Sequence, residues 1–166
     1  MYIPMISAST IRQYVPEINI NISDQLINSA TIMVQDTLLK DTIGQYWFDK
    51  MYAAYTGGTM TTADLYVKNT WLDAIISYGV WKHLIITLSL QLNEAGLRIK
   101  VSDHSQAGET KDLAFMRTYI ENFIDSKRQE MYRYLRDNNT QYPYYNGYKY
   151  GDNPRRNVFD FAIHRI

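Results

Sequence analysis

The segment Trp71–Asn93, WLDAIISYGVWKHLIITLSLQLN, is the most apolar stretch of the chain and decides the fold class. Its apolar residues recur at helical spacing, so it predicts a long helix that opens at Asn69 or Thr70. The charged side chains within it indicate a helix buried in a protein core rather than a membrane span. Gly79 has no side chain, which lets a neighbouring helix approach closely at that point.

Further helices are predicted on both sides of this central segment. Good N-cap residues precede several of them: Ser7 or Ser9, Ser23, and Thr61 or Thr62. The predicted helices are Thr10–Tyr14, Asp24–Lys40, Gln45–Tyr55, a turn reaching Val67, and Asp112–Asp137.

A short β element is expected after the central helix. Leu97–Val101, LRIKV, alternates apolar and basic residues and predicts a strand. Ser102–Thr110 is polar and predicts an exposed loop. The fold class is therefore mainly α, a helical bundle with a short β element near 97–101 and an extended C-terminal arm.

The last predicted helix ends in a strongly charged stretch, DSKRQEMYRYLRDN, at 125–138. Charges of alternating sign are typical of a solvated helix face, so this end is expected to extend beyond the bundle. The helix as a whole is expected to line a boundary between subunits.

The final 28 residues, Asn139–Ile166, predict an arm that lies on another protein, so the chain is divided into a helical domain at 1–138 and an arm at 139–166. Pro and Gly interrupt this segment, while Tyr, Phe and Arg, which are enriched in protein interfaces, fill it. The alternative is a tail that folds back on its own domain. The predicted partner-binding residues are Tyr144, Tyr145, Tyr148, Arg155, Arg156, Phe159, Phe161 and Ile163.

The end of the arm has the period of an extended strand. Phe159, Phe161 and Ile163 alternate with smaller or polar residues between Val158 and Ile166. Such a segment is suited to pairing with the edge of a sheet, with its apolar row filling pockets on one face.

Composition narrows the function classes. The 166 residues carry 17 basic and 17 acidic side chains, a formal net charge of zero that argues against a general nucleic-acid binder. The chain has no cysteine, which excludes disulfides, thiolate metal sites and cysteine nucleophiles. The first ten residues lack a basic n-region and a long apolar run, so no signal peptide is expected.

No pattern of catalytic or metal-binding residues is evident. His83, His104 and His164 fall in separate contexts without metal-ligand spacing, and His83 is expected to be a hydrogen-bonded core or interface residue. Thr56–Thr59, TGGT, lacks the pattern of a phosphate-binding loop and predicts a turn between helices. We therefore expect no catalysis, no metal and no cofactor.

The order of elements resembles the head–tail connector, or adaptor, proteins of tailed bacteriophages. The resemblance lies in SDQLINSATIMVQDTLL at 23–39, the helix, NEAG, strand and polar loop of 70–113, and RTYIENFIDSKRQEMYRYLRDN at 117–138. The composition, rich in Asn, Ile and Tyr and free of cysteine, also resembles that of proteins from AT-rich phages such as the crAss-like phages.

This resemblance implies a structural protein of the virion, at the junction of capsid and tail. Proteins of this class form a homo-oligomeric ring of twelve copies beneath the portal protein, contact other neck or tail proteins, and extend the DNA channel without specific DNA binding or a membrane. Their C-terminal arms dock on the portal or on a neighbouring subunit. The alternatives are another neck or tail subunit (head completion or tail terminator), a helical DNA-packaging accessory protein, or a small enzyme.

Overall fold

The computed structural model describes residues 3–18, 22–93, 96–99 and 106–142, and these form a mainly α-helical bundle with a two-stranded hairpin. Helix α1 is Ala8–Tyr14, α3 is Gln45–Thr56 and α5 is Gln106–Asp137. The strands are β1, Leu90–Asn93, and β2, Gly96–Ile99.

The two remaining helices each contain one π-helical turn. Helix α2 consists of Asp24–Val34, the π turn Gln35–Leu39 and a last α-helical turn, Lys40–Ile43. Helix α4 consists of Thr62–Val67, the π turn Lys68–Leu72 and the long part Asp73–Ser89. The junction residues keep right-handed helical backbone angles, so each helix is continuous through its π turn.

Three of the predicted caps are confirmed. The side-chain oxygens of Ser7, Ser23 and Thr61 accept hydrogen bonds from backbone N–H groups in the first turns of α1, α2 and α4. These bonds satisfy donors that a helix start otherwise leaves unpaired. Between α2 and α3, Gly44 has a φ of 82°, a conformation that glycine adopts readily, and the chain turns there.

Both predicted ends of the central helix were wrong. The helix does not open at Asn69 or Thr70, because α4 runs without a break from Thr62. It also ends at Ser89 rather than near Asn93, since Leu90–Asn93 pairs antiparallel with Gly96–Ile99. A short apolar run such as LSLQLN fits a helix or a strand equally well, and pairing with β2 decides between them.

The region after the hairpin also differs from expectation. The predicted strand at 97–101 overlaps β2 at 97–99, and residues 100 and 101 lie outside the described residues. The polar stretch Ser102–Thr110 was predicted to be a loop, yet α5 begins at Gln106. The polar composition of this stretch did not indicate the helix, because a helix can be polar on every face.

The long part of α4 lies at the centre of the bundle and packs against α1, α2 and α5. Its apolar residues point in all directions, which is typical of a helix surrounded by protein. The close approach predicted at Gly79 is confirmed, because a Cβ there would lie 2.6 Å from Leu38 Cδ2 and 2.8 Å from Val34 Cγ1. The buried residues of this central part include Ala74, Ile75, Ile76, Ser77, Val80, Trp81 and Leu84.

The prediction for the end of α5 was wrong. Met131 and Leu135, within the charged stretch, are fully buried, whereas Phe115 and Tyr119 earlier in the helix are 72% and 52% exposed. Most charged side chains of 125–138 do line an outer face, but Met131 and Leu135 are spaced i, i+4 on the inner face. The C-terminal part of α5 therefore belongs to the bundle.

Candidate docking surfaces

The eight residues predicted to bind a partner all lie beyond Tyr142 and therefore outside the described residues. Their roles stay predictions. These residues are Tyr144, Tyr145, Tyr148, Arg155, Arg156, Phe159, Phe161 and Ile163. The described part of the arm ends at Tyr142, its first aromatic residue, which is buried in the helical domain.

Tyr142 is fixed by one hydrogen bond and two ring contacts. Its hydroxyl donates to the backbone oxygen of Ala63 on α4 over 3.1 Å. Its ring centroid lies 6.1 Å from that of Trp47 on α3 and 5.9 Å from that of Tyr134 on α5. Burial, together with the neighbouring Tyr134, raises the pKa of Tyr142 above that of an ordinary tyrosine. The root of the arm is thus held by three helices at once.

A cluster of aromatic rings continues from Tyr142 to the surface. Tyr134 lies 4.9 Å from Trp71 and 5.2 Å from Tyr66, measured between ring centroids. Trp71 is nearly buried, but Tyr66 is 49% exposed, and Leu65 beside it is also exposed. This end of the bundle therefore presents an aromatic surface, here called the α4 patch (Leu65 and Tyr66).

A second exposed apolar surface lies on the first half of α5. Phe115 and Tyr119 are spaced i, i+4, so they share one face of the helix. They form the α5 patch. Phe115 and Tyr134 are 19 positions apart on the same helix, which corresponds to about 28 Å along its axis. Because Tyr66 contacts Tyr134, the α4 and α5 patches lie along opposite halves of α5.

An open groove of about 1330 Å³ lies between α2, α3, α4 and α5. Met33, Tyr46 and Ile86 contribute accessible apolar surface to it, the buried Trp47 and Ile124 lie behind that surface, and Gly79 forms part of the wall where α4 approaches α2. The charged residues that line it are Asp36, Lys40, Asp41, Asp49, Lys82, Glu121, Asp125 and Arg128.

Arg128 connects α5 to the end of α2 along this groove. Its Nε donates to Thr42 Oγ1 over 2.8 Å, and its Nη2 lies 3.3 Å from Asp41 Oδ2. Nη2 also donates to the backbone oxygen of Leu38, within the π turn of α2, over 3.4 Å. Nearby, the hydroxyl of Tyr132 donates to the backbone oxygen of Thr42 over 2.6 Å. These contacts fix the wall of the groove.

The π turn of α4 creates a buried ion pair. Lys68 Nζ lies 2.8 Å and 3.0 Å from the two carboxylate oxygens of Asp73, with the side chains 10% and 8% exposed. A π turn bonds residues five apart, so it brings Lys68 and Asp73 together. Burial raises the pKa of Asp73 more than Lys68 lowers it. The pKa of Tyr14 is raised by burial and then by the charge of Asp73.

The described residues contain no group of three or more His, Asp or Glu side chains placed to hold a metal. His83 is partly buried, lines the groove, and lies 3.3 Å from Thr87 Oγ1 through its Nε2 atom. His104 and His164 lie outside the described residues. In 3–18, 22–93, 96–99 and 106–142, no helix combines the length and apolar character needed to cross a bilayer.

Sequence reasoning missed the groove, the Arg128 contacts and the Lys68–Asp73 pair. The first two join residues more than 80 positions apart, and no local pattern signals such contacts. The ion pair did have a signal, since a lysine and an aspartate five apart bracket the apolar residues Trp71 and Leu72. That spacing is unfavourable in a regular α-helix and favourable across a π turn.

These features define a mainly helical domain that carries separate apolar surfaces and a groove. A family model matches residues 32–155, from within α2 to beyond Tyr142, and the chain belongs to that family, DUF6712, a family of unknown function. No curated protein and no solved structure matches the chain.

Proposed function

We propose that this chain is a structural subunit of a phage head–tail connector ring. In this proposal it docks beneath the portal protein, joins capsid to tail around the DNA channel, and has neither catalytic activity nor a cofactor. The resemblance of its element order to connector proteins supports the ring, and so does its mainly helical bundle.

The observation that carries the proposal is the separation of the α4 and α5 patches. A cyclic ring with head-to-tail contacts needs two different surfaces on each subunit, one for each neighbour. The two patches lie along opposite halves of α5, about 22–28 Å apart along its axis. Leu65 and Tyr66 of one copy are therefore proposed to face Phe115 and Tyr119 of the next.

The charge of the chain is consistent with a channel through which DNA passes. Tight binding to DNA rests on an excess of cationic side chains that contact phosphates. This chain has equal numbers of acidic and basic residues, so it has no such overall excess. DNA would move past a ring of this composition without being held.

In the assembled ring, the arm would supply the contacts with the portal or other neck proteins. Tyr142 fixes the root of the arm to its own domain, so residues 143–166 extend from a defined point. Each arm contact is modest by itself, but repetition around a closed ring gives avidity.

The test is assembly of the purified full chain with the portal protein of the same virion, imaged and scored for rotational symmetry. We expect a ring of about twelve copies against the portal, the number that the resemblance to connector proteins implies, with one contact repeated between neighbouring copies. Phe115→Ala should prevent the ring while leaving the melting temperature within a few degrees, since this side chain is 72% exposed. Asymmetric particles, or no association with the portal, would refute the proposal.

A second pair of variants tests the arm. Phe159→Ala with Phe161→Ala should weaken docking on the portal, because both belong to the apolar row of the alternating segment. Asp160→Ala with His164→Ala is the matched control, since these residues occupy the opposite row. Equal docking by both double variants would contradict the proposed role of the row.

A further inference from the structure

The described chain ends beside the groove. Tyr142, its last residue, contacts Trp47, and Trp47 lines the groove. Residues 143–166 therefore begin directly after a residue that contacts the wall of the groove. Twelve extended residues span at most about 40 Å, so the linker 143–154 is long enough to bring the end of the chain back along this surface.

The size of the groove suits a peptide segment. Its volume of about 1330 Å³ exceeds the roughly 300–1,000 Å³ typical of small-molecule sites. Met33, Tyr46 and Ile86 supply accessible apolar surface within it. A segment with a row of large apolar side chains, such as the one that contains Phe159 and Phe161, matches that surface.

The charges of the groove and of the end of the chain are complementary. Five carboxylates line the groove against three Lys or Arg side chains. Each of these cations already has a carboxylate partner, as in Lys82–Glu121 and Arg128–Asp41, so the surplus is negative. Residues 155–166 carry three arginines and one aspartate and are therefore positive. Opposite charges favour the encounter and fix its direction.

We propose that residues 155–166 dock in the groove of their own chain in the free subunit. The two arginines at 155 and 156 meet the acidic lining, and the row of Phe159, Phe161 and Ile163 covers the apolar wall. Docked in this way, the arm covers the residues with which it would bind a partner. A partner that binds these residues more tightly than the groove does would shift the segment from the groove to the partner. This inference concerns the subunit before assembly and does not rest on the connector proposal.

The test uses disulfide formation in the full chain, which has no native cysteine. Asp49→Cys lies on the groove, and it is combined with Ile163→Cys in the segment. The control is Thr59→Cys with Ile163→Cys. Thr59 is exposed and does not line the groove, and it is four residues from Ala63, which Tyr142 contacts. Both positions lie within four residues of a Tyr142 contact, Trp47 for Asp49 and Ala63 for Thr59, so an undocked segment would reach them to a similar extent.

We expect the Asp49 pair to form an intramolecular disulfide several-fold faster than the Thr59 pair, with a rate unchanged by about tenfold dilution. Adding Arg155→Glu and Arg156→Glu to the Asp49 pair should remove that advantage. Cross-linked dimers whose yield falls on dilution would overturn the proposal and identify a second copy as the occupant. Equal rates for the two pairs would also overturn it. A ring assay on the portal can succeed or fail independently of this result.

Discussion

For the buried ion pair Lys68–Asp73, we expect that replacing both residues together lowers the stability of the fold less than replacing either one alone. Both side chains are about nine-tenths buried, and Lys68 is within 3.0 Å of both carboxylate oxygens. Burial raises the pKa of Asp73 despite this contact, so desolvation outweighs the attraction of Lys68. The pair therefore contributes little net stability, although each partner needs the other.

The expected magnitudes follow from this balance. Lys68→Met leaves the carboxylate of Asp73 buried without its partner, and Asp73→Leu leaves the ammonium of Lys68 in the same state. Each should lower the free energy of unfolding by about 3–5 kcal/mol. For a domain of this size, the melting temperature should fall by roughly 10 °C. The double variant Lys68→Met/Asp73→Leu should lie within about 1 kcal/mol of the original chain.

The pH dependence provides a second readout. Because the folded-state pKa of Asp73 is raised, the folded protein binds this proton more tightly than the unfolded chain does. The stabilisation from this group is full below the unfolded pKa and is lost as pH rises through the folded pKa. Lys68→Met removes the interaction that lowers this pKa, so its destabilisation should be smaller at pH 5 than at pH 7.

Urea unfolding of the four proteins at both pH values measures these terms as a double-mutant cycle. Lys127→Met with Glu130→Gln is a matched control, because that pair is spaced i, i+3 on α5 and both of its side chains are partly exposed. Its single variants should change stability by less than about 1 kcal/mol. The reasoning is refuted if either single variant at Lys68 or Asp73 loses less than about 1 kcal/mol, or if the double variant is the least stable of the set.

Three further changes should alter stability in defined ways, each measured by the midpoint of urea unfolding. Gly79→Ala should cost about 1–2 kcal/mol, because its Cβ meets α2 at 2.6 Å and the gain in helix propensity offsets only part of the strain; a stabilised variant would show that α2 shifts freely. Tyr142→Phe should cost about 1 kcal/mol through the lost bond to Ala63, and no change would mean that ring packing alone holds the arm. Arg128→Met should cost about 1–2 kcal/mol through its bond to Thr42, and an unaffected midpoint would contradict its role in fixing the groove wall.

Local features of this fold could be predicted from the sequence. Ser7, Ser23 and Thr61 are caps because a hydroxyl bonds to a backbone N–H only three residues away. Gly79 was identified as a point of close approach because a glycine inside an apolar helical pattern usually has a packing reason. Such signals need no knowledge of the partner helix.

Features that depend on how one helix packs against another could not be predicted in the same way. A π turn adds one residue to a helix, so it shifts the apolar pattern and conceals the continuity of α4. The C-terminal part of α5 was misjudged because its many charged residues outnumber the i, i+4 pair Met131 and Leu135, and only the packing of the bundle shows that this pair is covered. The groove arises from four helices meeting, which no single segment signals.

The attachment of Tyr142 determines how mechanical load enters this molecule. Tension applied to residues beyond 142 cannot peel α5 from its last turn alone, because the ring of Tyr142 also touches α3 and its hydroxyl bonds to α4. The pull is instead shared by three helices, which must be sheared together rather than separated one bond at a time. A subunit joined to its surroundings through this segment would therefore transmit force into the whole bundle, and a truncation intended to remove the arm without weakening the domain should begin after Tyr142.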